Sequence, residues 1–272
     1  MILPNLFIAG AQKAGTTWLS RCLGRQPFAF LPPEKELHFF DKVSDLEAEL
    51  PGYAARYAGS TARWNIDATP NYLCTPGAER RLRATCPDAR FVITLRDPVE
   101  RTLSAVRHHL ARDRFGPEAS VASVVREVLA TGHDPWEILD QGAYADGFER
   151  WYAVFPRERF HVVVFEDEIE PDQGRAALRG VAAFLDEDEF APPLDSVQYR
   201  SPTPTSRLAG RLVSRAAGIS RVLAPLNRIV GRDAAFETDK ATRELLDVWF
   251  APQLERLPAL IGRRPASWRR SG

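Results

Sequence analysis

Five short apolar runs punctuate the chain, at residues 6–9, 29–31, 64–66, 90–95 (RFVITL) and 160–165 (FHVVVF). Turn residues bound them, and the two longest are apolar at nearly every position, which predicts strands covered on both faces. Between the runs, apolar residues recur with helical spacing. Helices are expected over 16–25, 44–57, 76–85, 98–112, 121–130, 144–155, 175–185, 207–230 and 240–261. This alternation predicts an α/β fold, a central parallel sheet flanked by helices, with a helical C-terminal part. The Pro-rich pieces APPLD and RSPTPTS, near 191–206, mark a loop before that part.

At 272 residues the chain can bury a full core, and a single domain over 1–272 is expected. Its 36 basic and 36 acidic residues cancel, so bulk charge gives no case for a nucleic-acid partner. Cys22, Cys74 and Cys86 are too few and scattered for a disulfide framework or a zinc site. The start, MILPNLFIAG, lacks the pattern of a signal peptide, and no window approaches a membrane span, so a cytoplasmic location is expected.

Chemistry concentrates in three stretches. In IAGAQKAGTTW, Gly10 and Gly15 keep the spacing of a phosphate-cradling loop, but its lysine has moved from after the second glycine to Lys13. A strand, a glycine turn and a helix start near Thr16 make an anion site. The displaced ammonium suggests a 5′-phosphate bearing one further group, with no obligatory metal; an ordinary βα turn is the plain alternative. In PPEKELHFFDK, residues 32–42, an extended backbone would put Glu36 and His38 on one side, a carboxylate and an imidazole suited to general-base work. A solvated loop pinned by Phe39 and Phe40 is the alternative there. In RFVITLRDPVERTLS, Arg96 stands at a strand's carboxyl end with Asp97 and Pro98 opening a helix and Ser104 eight residues on. Arg96 and Ser104 together could clamp a second phosphate; otherwise Arg96 pairs with a structural carboxylate.

Taken in order, AQKAGTTWL, KELHFFD, DATPNYL (67–73) and LRDPVERTLS resemble the sulfotransferases that use 3′-phosphoadenosine 5′-phosphosulfate (PAPS), most closely the heparan sulfate and bacterial branch. QGAYADGFERWYAVFPRERFHVVVFED and FAPQLERLPALIGRRPASW extend the likeness over almost the whole chain. The resemblance implies a P-loop-like three-layer αβα fold and PAPS as donor, with adenosine 3′,5′-bisphosphate as product and no metal. It implies Gln12, Lys13, Ala14, Gly15, Thr16, Thr17 and Trp18 around the 5′-phosphosulfate, and Arg96 and Ser104 on the 3′-phosphate, with Arg200 closing that side. Glu36 would be the base and Lys13 would face the oxygen bridging phosphate and sulfate. His38 and Asp41 would shape the site, and Lys35, Asp41, Asn71 and Tyr72 would meet the acceptor. Ala68 departs from relatives acting on heparan sulfate, which often carry Lys there.

The acceptor class implied is a hydroxyl, or an amine, of a glycan, a glycolipid or a small natural product. From 196 to 232 the chain has seven arginines and no acidic residue. The helix-like part of that stretch, about 205–232, suits a solvated face, a lid, an acidic acceptor or peripheral contact with an anionic membrane. The rival reading of the loop is a small-molecule kinase using ATP and Mg²⁺, against which Lys13 and Arg96 both count.

Overall fold

The computed structural model of the chain describes residues 1–191 and 233–268. The helix expected at 207–230, and Arg200, lie outside the described residues. Strands β1 (Leu6–Gly10), β2 (Ala29–Phe30), β3 (Trp64–Asp67), β4 (Arg90–Leu95) and β5 (Phe160–Val164) form one parallel sheet in the order β2-β3-β1-β4-β5. The helices are α1 (Thr16–Leu23), α2 (Phe39–Lys42), α3 (Leu46–Ala54), α4 (Ala78–Thr85), α5 (Pro98–Leu110), α6 (Val121–Thr131), α7 (Tyr144–Tyr152), α8 (Arg175–Leu185) and a final helix, Lys240–Ile261.

Period-two alternation divides the strand side chains between two cores. Phe7, Ala9, Phe91, Ile93 and Leu95 face one, with Tyr53 of α3, Leu82 of α4 and Phe148 and Trp151 of α7. Leu6, Ile8 and Val92 face the other, with Trp18, Leu19 and Cys22 of α1 and Leu178 and Val181 of α8. Both faces of the sheet are therefore covered, which is why the central strands read as unbroken apolar runs. On the first face Phe7, Phe91 and Phe160 stack across β1, β4 and β5 at 5.7 and 4.7 Å. Each such pair adds about 0.5–1.5 kcal/mol beyond its buried area.

The described chain, expected as one domain, groups into two compact units: 1–97, 143–191 and 253–268 in the first, 98–142 and 233–252 in the second. The first holds the sheet. In the second, Leu103 and Val106 of α5 and Val124 and Val125 of α6 are buried, and a capping box between Ser120 and Ser123 starts α6. Arg101 is wholly buried there and its guanidinium donates to the Ile138 carbonyl.

Several expected helix ends shift by two or three residues, and two boundaries move for a visible local reason. The strand expected to reach Phe165 ends at Val164, where Glu168 accepts from the Val164 N–H, and a π-helical turn runs over Phe165–Ile169. The helix expected at 44–57 starts at Leu46 because the Asp45 side chain caps it through the Ala48 N–H. Its end tightens into a 3₁₀ turn, Ala55–Tyr57.

Candidate active site

In chain order the strands first fill one side of β1 and then the other, so β1 and β4 meet at the point where the order reverses. Open α/β sheets bind ligands outside the carboxyl ends of such strands. At Gly10 a side chain would bring Cβ within 2.7 Å of Leu73 Cβ, and at Gly15 the backbone is left-handed with φ 94°. The two glycines thus permit the close turn that carries Gln12, Lys13 and Ala14. No side chain of the described residues caps α1. Its first-turn N–H groups, at Thr16 and Thr17, keep the free donors that make a helix start an anion site. Trp18 follows them in the same turn, with its ring buried in the second core.

Arg96 reaches this loop from the neighbouring strand. Its Nη1 donates to the Lys13 carbonyl at 3.3 Å. The guanidinium lies over the Phe165 ring, 5.4 Å from the centroid, and its Nε is 3.7 Å from Glu166 Oε1 with no hydrogen-bond partner among the described residues. Glu166 is itself held by the Asp97 N–H at 3.1 Å and by Trp268 Nε1 at 2.9 Å. Burial pushes its carboxyl above the ordinary range, against the pull of those donors and of Arg96. Tyr144 donates to the Arg96 carbonyl at 2.9 Å and fixes the backbone beneath. Sequence reading missed Glu166 and Trp268, although the quoted FED and ASW ends contain them.

The extended backbone on which Glu36 and His38 would share a side is not what forms. Glu36 and His38 are both left-handed, with φ 62° and 52°, and α2 begins immediately after His38. The two side chains still meet, Glu36 Oε2 lying 4.0 Å from His38 Nε2. His38 Nδ1 is 2.6 Å from Asp41 Oδ2, a carboxylate only 5 % exposed. The Asp41 contact at Nδ1 fixes the ring with Nε2 on the Glu36 side. Lys35, expected at the acceptor, donates from Nζ to Thr17 Oγ1 at 2.7 Å and to Glu36 Oε1 at 2.5 Å.

What holds this bend is a buried polar knot at the end of β3. Asp67 accepts from Tyr53 (2.6 Å) and Tyr72 (2.8 Å) at one oxygen and from Thr69 (2.7 Å) at the other. Burial raises its carboxyl, and these hydroxyls pull the other way. Thr69 Oγ1 accepts from the His38 N–H at 3.4 Å, and the Tyr72 oxygen accepts from the Phe39 and Phe40 N–H groups at 3.1 and 3.4 Å. The knot therefore caps α2. Tyr72, expected to meet the acceptor, is 0 % exposed and supports the segment from below. Asn71 is half-buried, its carbonyl accepting from Cys74 and Thr75. Ala68 is also buried. Ser104 belongs to the second unit, buried in α5.

The arrangement is a glycine turn opening an uncapped helix and a strand-end guanidinium on one sheet edge, with a carboxylate tied to that turn through a lysine. The sequence profile described as Sulfotransferase family matches residues 38–191. Human heparan sulfate glucosamine 3-O-sulfotransferase 6 is 28% identical over 172 residues, 63% of this chain and 49% of that protein. The membrane-associated sulfotransferase kil1 of Dictyostelium discoideum is 34% identical over 108 residues, 38% of this chain and 22% of that protein. This chain spans about half the length of the first of these relatives. A crystal structure of a sulfotransferase from Alicyclobacillus acidocaldarius superposes with a TM-score of 0.72 at 28% identity, covering 99% of this chain and 100% of that one. No helix among the described residues is long and apolar enough to cross a membrane.

Proposed function

The chain belongs to the sulfotransferase family, and from that premise we propose that it transfers a sulfuryl group from PAPS to an acceptor hydroxyl. One observation carries the reading: Arg96 donates to the backbone of Lys13, so two strand-end cationic residues adjoin at a single sheet edge. A doubly charged nucleotide needs that proximity, and the Arg96 side chain, 19 % exposed, brings a guanidinium fork suited to one of its phosphates.

In this reading the Thr16 and Thr17 N–H groups hold the 5′-phosphate and Arg96 takes the 3′-phosphate. Glu36 accepts the proton of the acceptor hydroxyl as its oxygen bonds to sulfur. The bond from sulfur to the bridging oxygen breaks, and its electron pair stays on the 5′-phosphate, beside the positive charge of Lys13. His38, anchored by Asp41, lines the carboxylate side. A glycan hydroxyl is the first acceptor class to try, because the names of similar proteins specify glucosamine of heparan sulfate. The buried Ala68 puts no cation beside that acceptor.

The test has two arms. Adenosine 3′,5′-bisphosphate should raise the melting temperature while ATP with Mg²⁺ does not; the reverse would favour a kinase. With ³⁵S-labelled PAPS and a panel of heparan oligosaccharides, glycolipids, phenols and amines, label should move to at least one class. Stabilisation by neither nucleotide and no transfer to any acceptor would overturn the proposal.

A further inference from the structure

The ammonium of Lys35 has three donors, and two of them reach across the site. One goes to Thr17, in the first turn of α1, and the other to Glu36, in the segment that leads from β2 into α2. One cation therefore joins the anion-binding turn to the carboxylate. Among the described residues that carboxylate otherwise meets His38, at the longer distance of 4.0 Å. Glu36 sits on a left-handed backbone with its side chain 39 % exposed, so packing does little to aim it. The aim comes from Lys35, whose own side chain is 26 % exposed and hence within reach of a ligand.

We propose that Lys35 is a positioning residue for the base: its ammonium, anchored on the Thr17 hydroxyl, holds Oε1 of Glu36 and so leaves Oε2 aimed into the site as the proton acceptor. The inference rests on the sulfuryl-transfer reading above. Its physical basis is orientation. A carboxylate on an exposed, left-handed residue has several rotamers open to it, and an ammonium bridge to a fixed hydroxyl selects one. Proton transfer needs the acceptor hydroxyl within hydrogen-bond reach of that oxygen, so losing the bridge lowers turnover and leaves donor affinity.

The experiment compares wild type with Lys35→Met, Lys35→Gln, Lys35→Arg, Glu36→Gln and the Lys35→Met/Glu36→Gln double variant. Turnover of PAPS is followed with whichever panel acceptor takes label, or with water if none does. Lys35→Met and Lys35→Gln should lower kcat at least tenfold while KM for PAPS stays within threefold, and Lys35→Arg should restore most of the loss. The double variant should match Glu36→Gln within twofold, because Lys35 acts through that carboxylate. A kcat within twofold of wild type, a rise in KM with kcat kept, or a double variant well below Glu36→Gln would each overturn the proposal. A wild-type protein that neither gains stability from adenosine 3′,5′-bisphosphate nor turns over PAPS overturns the functional reading itself, which separates the two failures.

Discussion

Arg96 Nε and Glu166 Oε1 stand 3.7 Å apart, close enough to attract and too far to share a hydrogen bond. The carboxylate instead uses its oxygens on the Asp97 N–H and Trp268, which leaves the guanidinium oriented but not saturated. A planar fork held this way suits a phosphate, and a lysine's point charge does not reproduce it. Arg96→Lys should therefore weaken adenosine 3′,5′-bisphosphate by about ten- to a hundredfold, the ~1.5–3 kcal/mol of a charged hydrogen bond. Isothermal titration would measure it, with adenosine 5′-monophosphate as control. Equal losses for both nucleotides would take the 3′-phosphate away from Arg96.

Glu36 presents one oxygen to Lys35 and the other toward His38. Replacing it with Gln keeps the shape and removes the proton acceptor. Turnover should fall by roughly 10²–10⁴, the usual worth of general-base assistance. Affinity for the bisphosphate should change less than threefold, because the carboxylate does not belong to the anion turn. Turnover within tenfold of wild type would assign the base elsewhere.

The parts legible in the chain are those that local pattern decides. β4 and α8 fall on their expected bounds because an unbroken apolar run and a clean helical stripe each permit one reading. The Gly10 to Gly15 turn was legible from spacing alone. Glu36 and His38 do lie side by side, but on a bent backbone, and the four-residue alternation Glu36-Leu37-His38-Phe39 is too short to decide between bent and extended. The groups that bend it, Thr69 and Tyr72, lie more than thirty residues away in sequence. Trp268 and Glu166 are likewise 102 residues apart. Tyr72 misled because a tyrosine near a site reads equally as ligand or as buried hydroxyl, and only the position of Asp67 decides.

That buried hydroxyl can be tested directly. Tyr72→Phe removes the donor to Asp67 and leaves the Phe39 and Phe40 N–H groups without their acceptor. Leaving buried polar groups unpaired costs about 1–3 kcal/mol, so the melting temperature should drop by several degrees. In the folded variant the acceptor KM should stay near wild type, since the ring is fully enclosed. A rise in that KM with unchanged stability would return Tyr72 to the acceptor.

His161, on edge strand β5, stacks on Phe184 at 5.4 Å, and Gly180 of α8 packs against its ring. Burial holds its pKa below the ordinary 6.5; Glu168 pulls it up and Arg263 pushes it down further. The unfolded chain therefore takes up this proton at a higher pH than the folded one. Stability linked to His161 is complete above about pH 6.5 and is lost as pH falls from there toward the folded value. Asp67 and Glu166 act with the opposite sign, because their raised carboxyls favour the folded state on the acid side. The wild-type curve mixes these slopes, and a variant isolates one of them. His161→Phe keeps the stacked ring and removes the titration. Between pH 7 and 5 its melting temperature should fall less than that of wild type, the gap opening as pH drops below 6.5. Thermal melts at half-unit intervals would show this, and parallel curves for the two proteins would mean that the imidazole keeps its ordinary affinity for the proton.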